Sequence, residues 1–211
     1  MYVNGIRFFI TVSRHIQFGT VAMITNAKAD TLQECITEIR SLYAKREFTV
    51  VTISMDVQFE PIAASVTGLG ITPNFVSQDE HVPEIERYIR TVKERVRGIQ
   101  CTLPYKKLPG RMTIELVASQ VFWWNCVPKI TGVSTVMSPR TIVTGLKIDY
   151  VKHMKLQFGE YLQTHEETDN NTGHPRTIGA LALRPTGNVQ GGYWFYSLRT
   201  GRVINRRRYT H

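Results

Sequence analysis

The sequence predicts a mixed α/β protein carrying a small all-β module toward its C-terminal end. Three observations carry this. Over roughly the first 126 residues, strand-like runs alternate with longer stretches of helical period. Beyond residue 150 the chain changes to short strand-like runs divided by turn residues. Hydrophobic residues make up 42% and charged residues 20% of the 211, the balance of a folded chain with a core, not of a disordered one.

Ile6–Ser13 (IRFFITVS) is β-branched and aromatic and reads as a buried strand, with Phe18–Ile24 as its neighbour. Asp30 is a suitable N-cap for a helix over Thr31–Lys45, where Leu32, Cys35, Ile36, Ile39, Leu42 and Tyr43 recur on one face. Phe48–Met55 predicts a strand that Asp56 ends, Glu60–Leu69 a short helix closed by Gly68 and Gly70, and Ile71–Val76 a further strand. Pro83 opens a helix running to Arg97 with Gly98 as its stop, and Gly110 or Arg111 opens another through Asn125. Thr131–Gly145 is rich in Thr, Ser and Gly and reads as a connector. FGEYLQTH, TIGALALR, GGYWFYSL and RVINRRRYT then read as short strands punctuated by TGHPR, RPTGN and RTGR. The expected organisation is a core over 1–130, a connector over 131–150 and a β module over 151–211.

The formal net charge is +9, which favours polyanion partners: DNA, RNA or an acidic membrane surface. The three cysteines, Cys35, Cys101 and Cys126, are far apart and form no C-x-x-C pair, which argues against a zinc knuckle and for reduced thiols in an intracellular protein. The run VASQVFWWNCV is too short and too polar to span a bilayer, and no secretory leader is expected.

Two carboxylates stand out. Asp56 closes a strand, where α/β sheets commonly present functional groups, although a turn or helix-capping role is common for such an Asp. Glu86 shares a helical stripe with Arg90, Lys93 and Arg97, beside an apolar stripe of Ile85, Tyr88, Ile89, Val92 and Val96. An acid delivered from a strand end and another from a helix are the kind of hard-oxygen donors Mg²⁺ takes, its other ligands coming from water and phosphate. The plainer reading is a solvated face with Glu86–Arg90 as an i,i+4 pair. Asp79, Glu80 and Glu84 are further acids nearby; Asp79 and Glu80 precede the helix and suit its cap or its positive end, and His81 is a candidate proton carrier or phosphate contact. Arg206, Arg207 and Arg208, with Arg199 and Arg202, form a second basic cluster. Tyr193, Trp194, Phe195, Tyr196 and Tyr209 are interleaved with it and either stack on nucleic acid or fill the module's core.

SMDVQFEP, HVPEIERYIRTVKERVR, the SPRTIVTG connector, and FGEYLQTHEE followed by ALRPTGNVQGGYWFYSLRTGRVINRR together resemble the integrase region of copia-type retrotransposon polyproteins. The resemblance covers essentially the whole chain. It implies an RNase H-like mixed sheet flanked by helices, an SH3-like barrel as the β module, and an acidic D-D-E triad using Mg²⁺ or Mn²⁺. The middle Asp maps onto Asp56 and the final Glu onto Glu86. Arg87, Arg90, Lys93, Arg97, Arg206, Arg207 and Arg208 are then the expected nucleic-acid contacts. The implied chemistry is phosphoryl transfer on DNA: 3′ processing, then attack of that 3′ hydroxyl on target DNA. DNA and further copies of the chain are the implied partners, with the nucleus as the place of action.

The sequence departs from that pattern in three ways. No residue matches the first Asp, so the chain is expected to begin one strand late, as a fragment or degenerate copy. Only thirty positions separate Asp56 from Glu86, fewer than is usual. The His/Cys segment that normally precedes the core is absent, as are the protease and reverse transcriptase. A nucleic-acid-binding module without catalysis, and an assembly domain using its aromatic surface, are the alternatives.

Overall fold

The computed structural model describes residues 1–76, 83–166, 173 and 175–211. It divides into two compact units: Met1–Arg95 with Val121–Gly145, and Val96–Gln120 with Leu146–His211. The mixed α/β class holds, and through residue 126 the elements follow the expected order with two additions, a short strand at Tyr2–Val3 and a 3₁₀ segment at Val57–Ile62.

In the first unit, β1 (Tyr2–Val3), β2 (Ile6–Val12) and β3 (Gly19–Met23) form an antiparallel sheet in that order. Val3 pairs with Ile6 across Asn4–Gly5, whose φ values of 47° and 79° are those of a primed turn; Asn-Gly suits it because both residues tolerate the left-handed region. Helix α1 spans Ala29–Ala44 and buries Leu32, Cys35, Ile36 and Tyr43, the face its period predicts. Its N-cap is Lys28, without a side-chain cap, so Asp30 sits within the first turn instead and meets the helix dipole there.

Strand β4 (Thr52–Asp56) leads through a 3₁₀ segment (Val57–Ile62) and α2 (Ala63–Gly68) to β5 (Thr72–Val76). Thus the single helix expected over Glu60–Leu69 is a 3₁₀ segment followed by one α-helical stretch. Strands β4 and β5 are parallel, in register from Thr52↔Thr72 to Asp56↔Val76. Ile24, Leu32, Cys35, Ile36, Met55, Ile62, Val66 and Ile71 close one core among these elements. Among the described residues the antiparallel and the parallel ladders are separate sheets.

Helix α3 runs Pro83–Thr102 and α4 Gly110–Cys126. Gly98 does not stop α3, which continues for four more residues; a lone glycine weakens a helix without breaking it when the following residues keep the pattern. The Thr-, Ser- and Gly-rich stretch contains a helix, α5 (Pro139–Thr144), with Pro139 and Val143 buried. Ser138 caps it, accepting from the N–H of Thr141, and Gly145 ends it at φ 72°.

The second unit carries α6 (Tyr150–His153) and a five-stranded antiparallel sheet: β6 (Tyr161–His165), β7 (Thr177–Pro185), β8 (Tyr193–Ser197), β9 (Val203–Arg206) and β10 (Tyr209–Thr210), in the order β10-β6-β7-β8-β9. Leu162, Ala180, Ala182, Tyr193 and Phe195 form its core. Burial alternates along β8, so Tyr193 and Phe195 point inward while Trp194 and Tyr196 remain half-buried. The rings of Tyr193, Phe195 and Tyr209 pack together, with centroids 5.7 to 6.3 Å apart. Core filling is therefore the role of Tyr193 and Phe195. No helix among the described residues is long and apolar enough to cross a membrane.

Candidate nucleic-acid interface and acidic pair

Asp56 lies at the carboxyl end of β4 and is exposed. The following peptide turns into the 3₁₀ segment, and Asp56 Oδ1 accepts the N–H of Val57 at 3.1 Å. It is thus the N-cap of that segment, a role its position after the strand allowed. Its ladder partner is Val76, the last residue of β5. Seven chain steps of about 3.8 Å then connect Val76 to Pro83, where α3 begins. Glu86 lies in the first turn of α3 and is exposed. Asp56 and Glu86 belong to the same unit. Asp79, Glu80 and His81 lie outside the described residues.

The period of α3 delivers what the sequence predicts for its apolar side: Tyr88, Val92 and Val96 are buried, and Ile85 and Ile89 are half-buried. On the other side Arg90 and Arg97 are exposed and Lys93 is half-buried. No ion pair joins Arg90, Lys93 or Arg97 to an acid among the described residues. Arg87 is exposed, but its Nε donates to the carbonyl of Pro83 at 3.2 Å, folding the side chain back on the first turn. Glu84 pairs with Arg14 at 3.5 Å, so that acid faces the β2–β3 connection.

The C-terminal arginines differ from one another. Arg206 donates to the carbonyls of His165 (3.0 Å) and Asn205 (2.8 Å) and pairs with Glu166 at 3.2 Å. Glu166 also takes Arg199 at 3.3 Å. Arg207 and Arg208 are exposed, and neither pairs with an acid among the described residues.

A further cationic cluster was not evident in the sequence. Lys129 Nζ stands 3.3 Å from the Trp124 ring centroid, and the Arg95 guanidinium 5.2 Å from it. The Lys129 amine is buried without a hydrogen-bond partner among the described residues, and burial, then the nearby Arg95 charge, pushes its pKa down to about 8. The tryptophan face takes the place of an acid. A lysine following W-W-N-C-V-P was the only signal available, and such a signal does not say which ring the lysine reaches.

No group of three or more His, Cys, Asp and Glu side chains gathers into a cation cage among the described residues. Asp56 and Glu86 each carry a hard-oxygen carboxylate of the kind that Mg²⁺ takes alongside water and phosphate.

No family model and no curated protein matches the sequence. Among solved structures, the catalytic core domain of BIV integrase is similar, with a TM-score of 0.48 and 16% identity, over 69% of this chain and 90% of that one.

Proposed function

We propose that this chain is an integrase-type DNA-processing core, in which Asp56 and Glu86 offer carboxylates to Mg²⁺ or Mn²⁺ and the bases of α3 seat the DNA backbone. The observation that carries the reading is the position of Asp56 at the carboxyl end of the parallel β4–β5 pair, from which the chain leads into the helix bearing Glu86. The sequence resemblance to copia-type integrases supports it, as does the net charge of +9. In this reading Asp56 and Glu86 hold the cation, while Arg90, Lys93 and Arg97 position phosphates beside it. The bound cation supplies Lewis-acid stabilisation and a more acidic water. The chain's own part is placement and charge complementarity. The same reading takes residues 1–130 as the core, 131–150 as connector and 151–211 as an SH3-like barrel, with self-association and action in the nucleus.

A second reading has an observation of its own. One Asp56 oxygen already accepts the Val57 amide, and no third acid joins the pair among the described residues. A chain that binds DNA without processing it satisfies both facts.

The test is strand transfer on a labelled duplex with Mg²⁺ or Mn²⁺, using the wild type, Asp56→Asn and Glu86→Gln. Transfer that both substitutions abolish supports the first reading, and transfer undiminished by Glu86→Gln removes Glu86 from it. Salt-sensitive binding without metal-dependent transfer supports the second. Affinity that stays constant between about 50 and 200 mM salt contradicts both, because phosphate contacts release counterions.

A further inference from the structure

We infer that the first unit binds a small tetrahedral oxyanion, inorganic phosphate or sulfate, between α3 and the turn that follows α4, where Tyr88, Arg95 and Lys129 present donors and no acceptor. Each of the three carries a buried polar atom without a hydrogen-bond partner among the described residues: the Tyr88 hydroxyl, Arg95 Nε and Lys129 Nζ. Tyr88 and Lys129 are only 7% and 9% exposed. About two turns of α3 separate Tyr88 from Arg95, which puts them on one face of the helix. Arg95 and Lys129 both stand against the Trp124 ring. The three form one neighbourhood: the Arg95 charge acts on Lys129 and also on Tyr88.

No acid balances this group. Neither Arg95 nor Lys129 forms an ion pair among the described residues, and the charge that acts on Lys129 is a second cation. The Trp124 face answers a cation through its quadrupole, but it offers no lone pair to Arg95 Nε or to the Tyr88 hydroxyl. Desolvated donors, two of them charged, are stabilised more by an anion than by water. Two positive charges and three donor groups suit a dianion with several oxygens better than a carboxylate. Arg95 and Trp124 are half-buried, which leaves an entry for a free ion. A duplex does not fit that entry, because its phosphates carry a sugar on either side and Tyr88 and Lys129 are more than nine-tenths buried.

The backbone on the Lys129 side is held. The Gly132 N–H donates to the Lys129 carbonyl at 3.1 Å, the Val133 N–H to the His15 carbonyl at 3.1 Å, and Gln17 Nε2 to Thr131 Oγ1 at 2.7 Å. The turn carrying Lys129 is thereby fastened to the β2–β3 connection. Gly132 lets that turn fold tightly, since a Cβ there would stand 3.1 Å from the lysine Cβ. On the other side, Tyr88 and Arg95 are fixed by a helix of 20 residues. An ion seated among the three ties α3 to the turn after α4 and braces the first unit. None of its donors belongs to the acidic pair or to the α3 bases assigned to DNA, so the site stands whether or not the chain processes DNA.

The experiment is thermal unfolding of the full chain near neutral pH in sodium phosphate, sodium sulfate or sodium acetate, with ionic strength held constant by NaCl. At about 10 mM phosphate or sulfate the wild-type Tm is expected to rise by about 3 °C over NaCl alone, and by less in acetate. Lys129→Met, which removes a buried charge and so keeps the fold, is expected to show no rise, and Arg95→Gln a reduced one. Arg207→Ala, in the second unit, responds as wild type. A second readout is the Lys129 Cε signal in ¹³C-lysine-labelled chain, assigned by its absence from Lys129→Met. Its titration midpoint lies near 8 in NaCl and moves toward 10.5 in phosphate. An equal Tm rise in Lys129→Met is the general exclusion effect of these salts and overturns the proposal. So does acetate matching phosphate, or a Lys129 midpoint that phosphate leaves in place. A DNA duplex that moves the midpoint further than free phosphate at equal phosphate concentration overturns it too, since the cluster is then a nucleic-acid contact.

Discussion

The Asn125 side chain closes two hydrogen bonds on the backbone of Gly19: its Oδ1 accepts the glycine N–H at 2.9 Å, and its Nδ2 donates to the glycine carbonyl at 2.7 Å. Both residues are buried, and 106 positions separate them. The end of α4 thus substitutes for a neighbouring strand at the first residue of β3. Asn125→Leu leaves the glycine N–H and carbonyl buried and unpaired, at an expected cost of about 2–4 kcal/mol. Urea denaturation measures it, and a loss below about 0.5 kcal/mol would show that the contact is dispensable.

The absence of a side chain at Gly19 has a second consequence. A Cβ there would collide with the Tyr88 ring of α3. Gly19→Ala is therefore destabilising, and Tyr88→Leu in the same chain recovers part of the loss. A double-mutant cycle gives a coupling of about 1 kcal/mol or more if the two share that space, and none if they do not. Tyr88→Phe alone is neutral or slightly stabilising, because the Tyr88 hydroxyl is buried with no hydrogen-bond partner among the described residues.

Lys129 makes stability depend on pH in a definite direction. Its folded pKa of about 8 lies below the ordinary 10.5, so the unfolded chain holds this proton more tightly. The penalty is present in full below pH 8 and is relieved as pH rises from about 8 toward 10.5. The Lys129→Met chain should gain on the order of 1 kcal/mol at pH 7, and that gain should shrink between pH 8 and pH 10 as the wild type sheds the penalty, with urea denaturation as the measure. Parallel pH profiles for the two chains would refute the assignment.

The thiols provide a simpler probe. Cys126 is buried and its pKa is pushed up to about 11 by that burial; Cys35 is buried and likewise raised. Cys101 is exposed. Thiolate is the reactive species, so a disulfide reagent at pH 7.5 should titrate one thiol quickly in the native chain and three after denaturation. Three fast thiols in the native chain would mean that the first unit's core opens readily.

The parts of the fold legible in the sequence are those where one period runs long enough to count. Leu32 to Tyr43 on α1 and Tyr88 to Val96 on α3 repeat over more than two turns, and both faces are buried as expected. The β8 alternation places Tyr193 and Phe195 inside for the same reason. Helix α5 is six residues, too short for a period, and its signal lay in Ser138-Pro139 at the start and Gly145 at the end. Asp56 was legible as a strand-end acid, while its bond to Val57 N–H depends on a backbone turn that residue identity does not encode. Arg206, Arg207 and Arg208 read alike in sequence. They part company only because Glu166, forty positions away from Arg206, reaches that one arginine. Lys152 and Lys155 gave no signal, since what makes them a pair is the Tyr193 hydroxyl on a distant strand.

His153 links this scaffold to the stability of the second unit. The ring is 2% exposed and lies between the carbonyls of Asp149 and Asn188, so it fills space and supplies at least one N–H donor in any protonation state. His153→Ala removes the ring's volume and the side-chain N–H it offers, while the Asp149 carbonyl keeps the backbone N–H groups of Lys152 and His153 and the Asn188 carbonyl keeps that of Gly191, so the expected loss of about 2–4 kcal/mol is mostly lost packing. His153→Gln keeps an N–H donor and part of the volume and should lose less. Because α6 is only four residues long, it has little stability apart from this anchor. Its release should free Lys152 before the sheet unfolds, so hydrogen exchange in His153→Ala should quicken at residues 150–155 and at the 186–191 turn, with β7 and β8 still protected. Uniform acceleration across β7 and β8 would mean that His153 supports the whole sheet and not α6 alone.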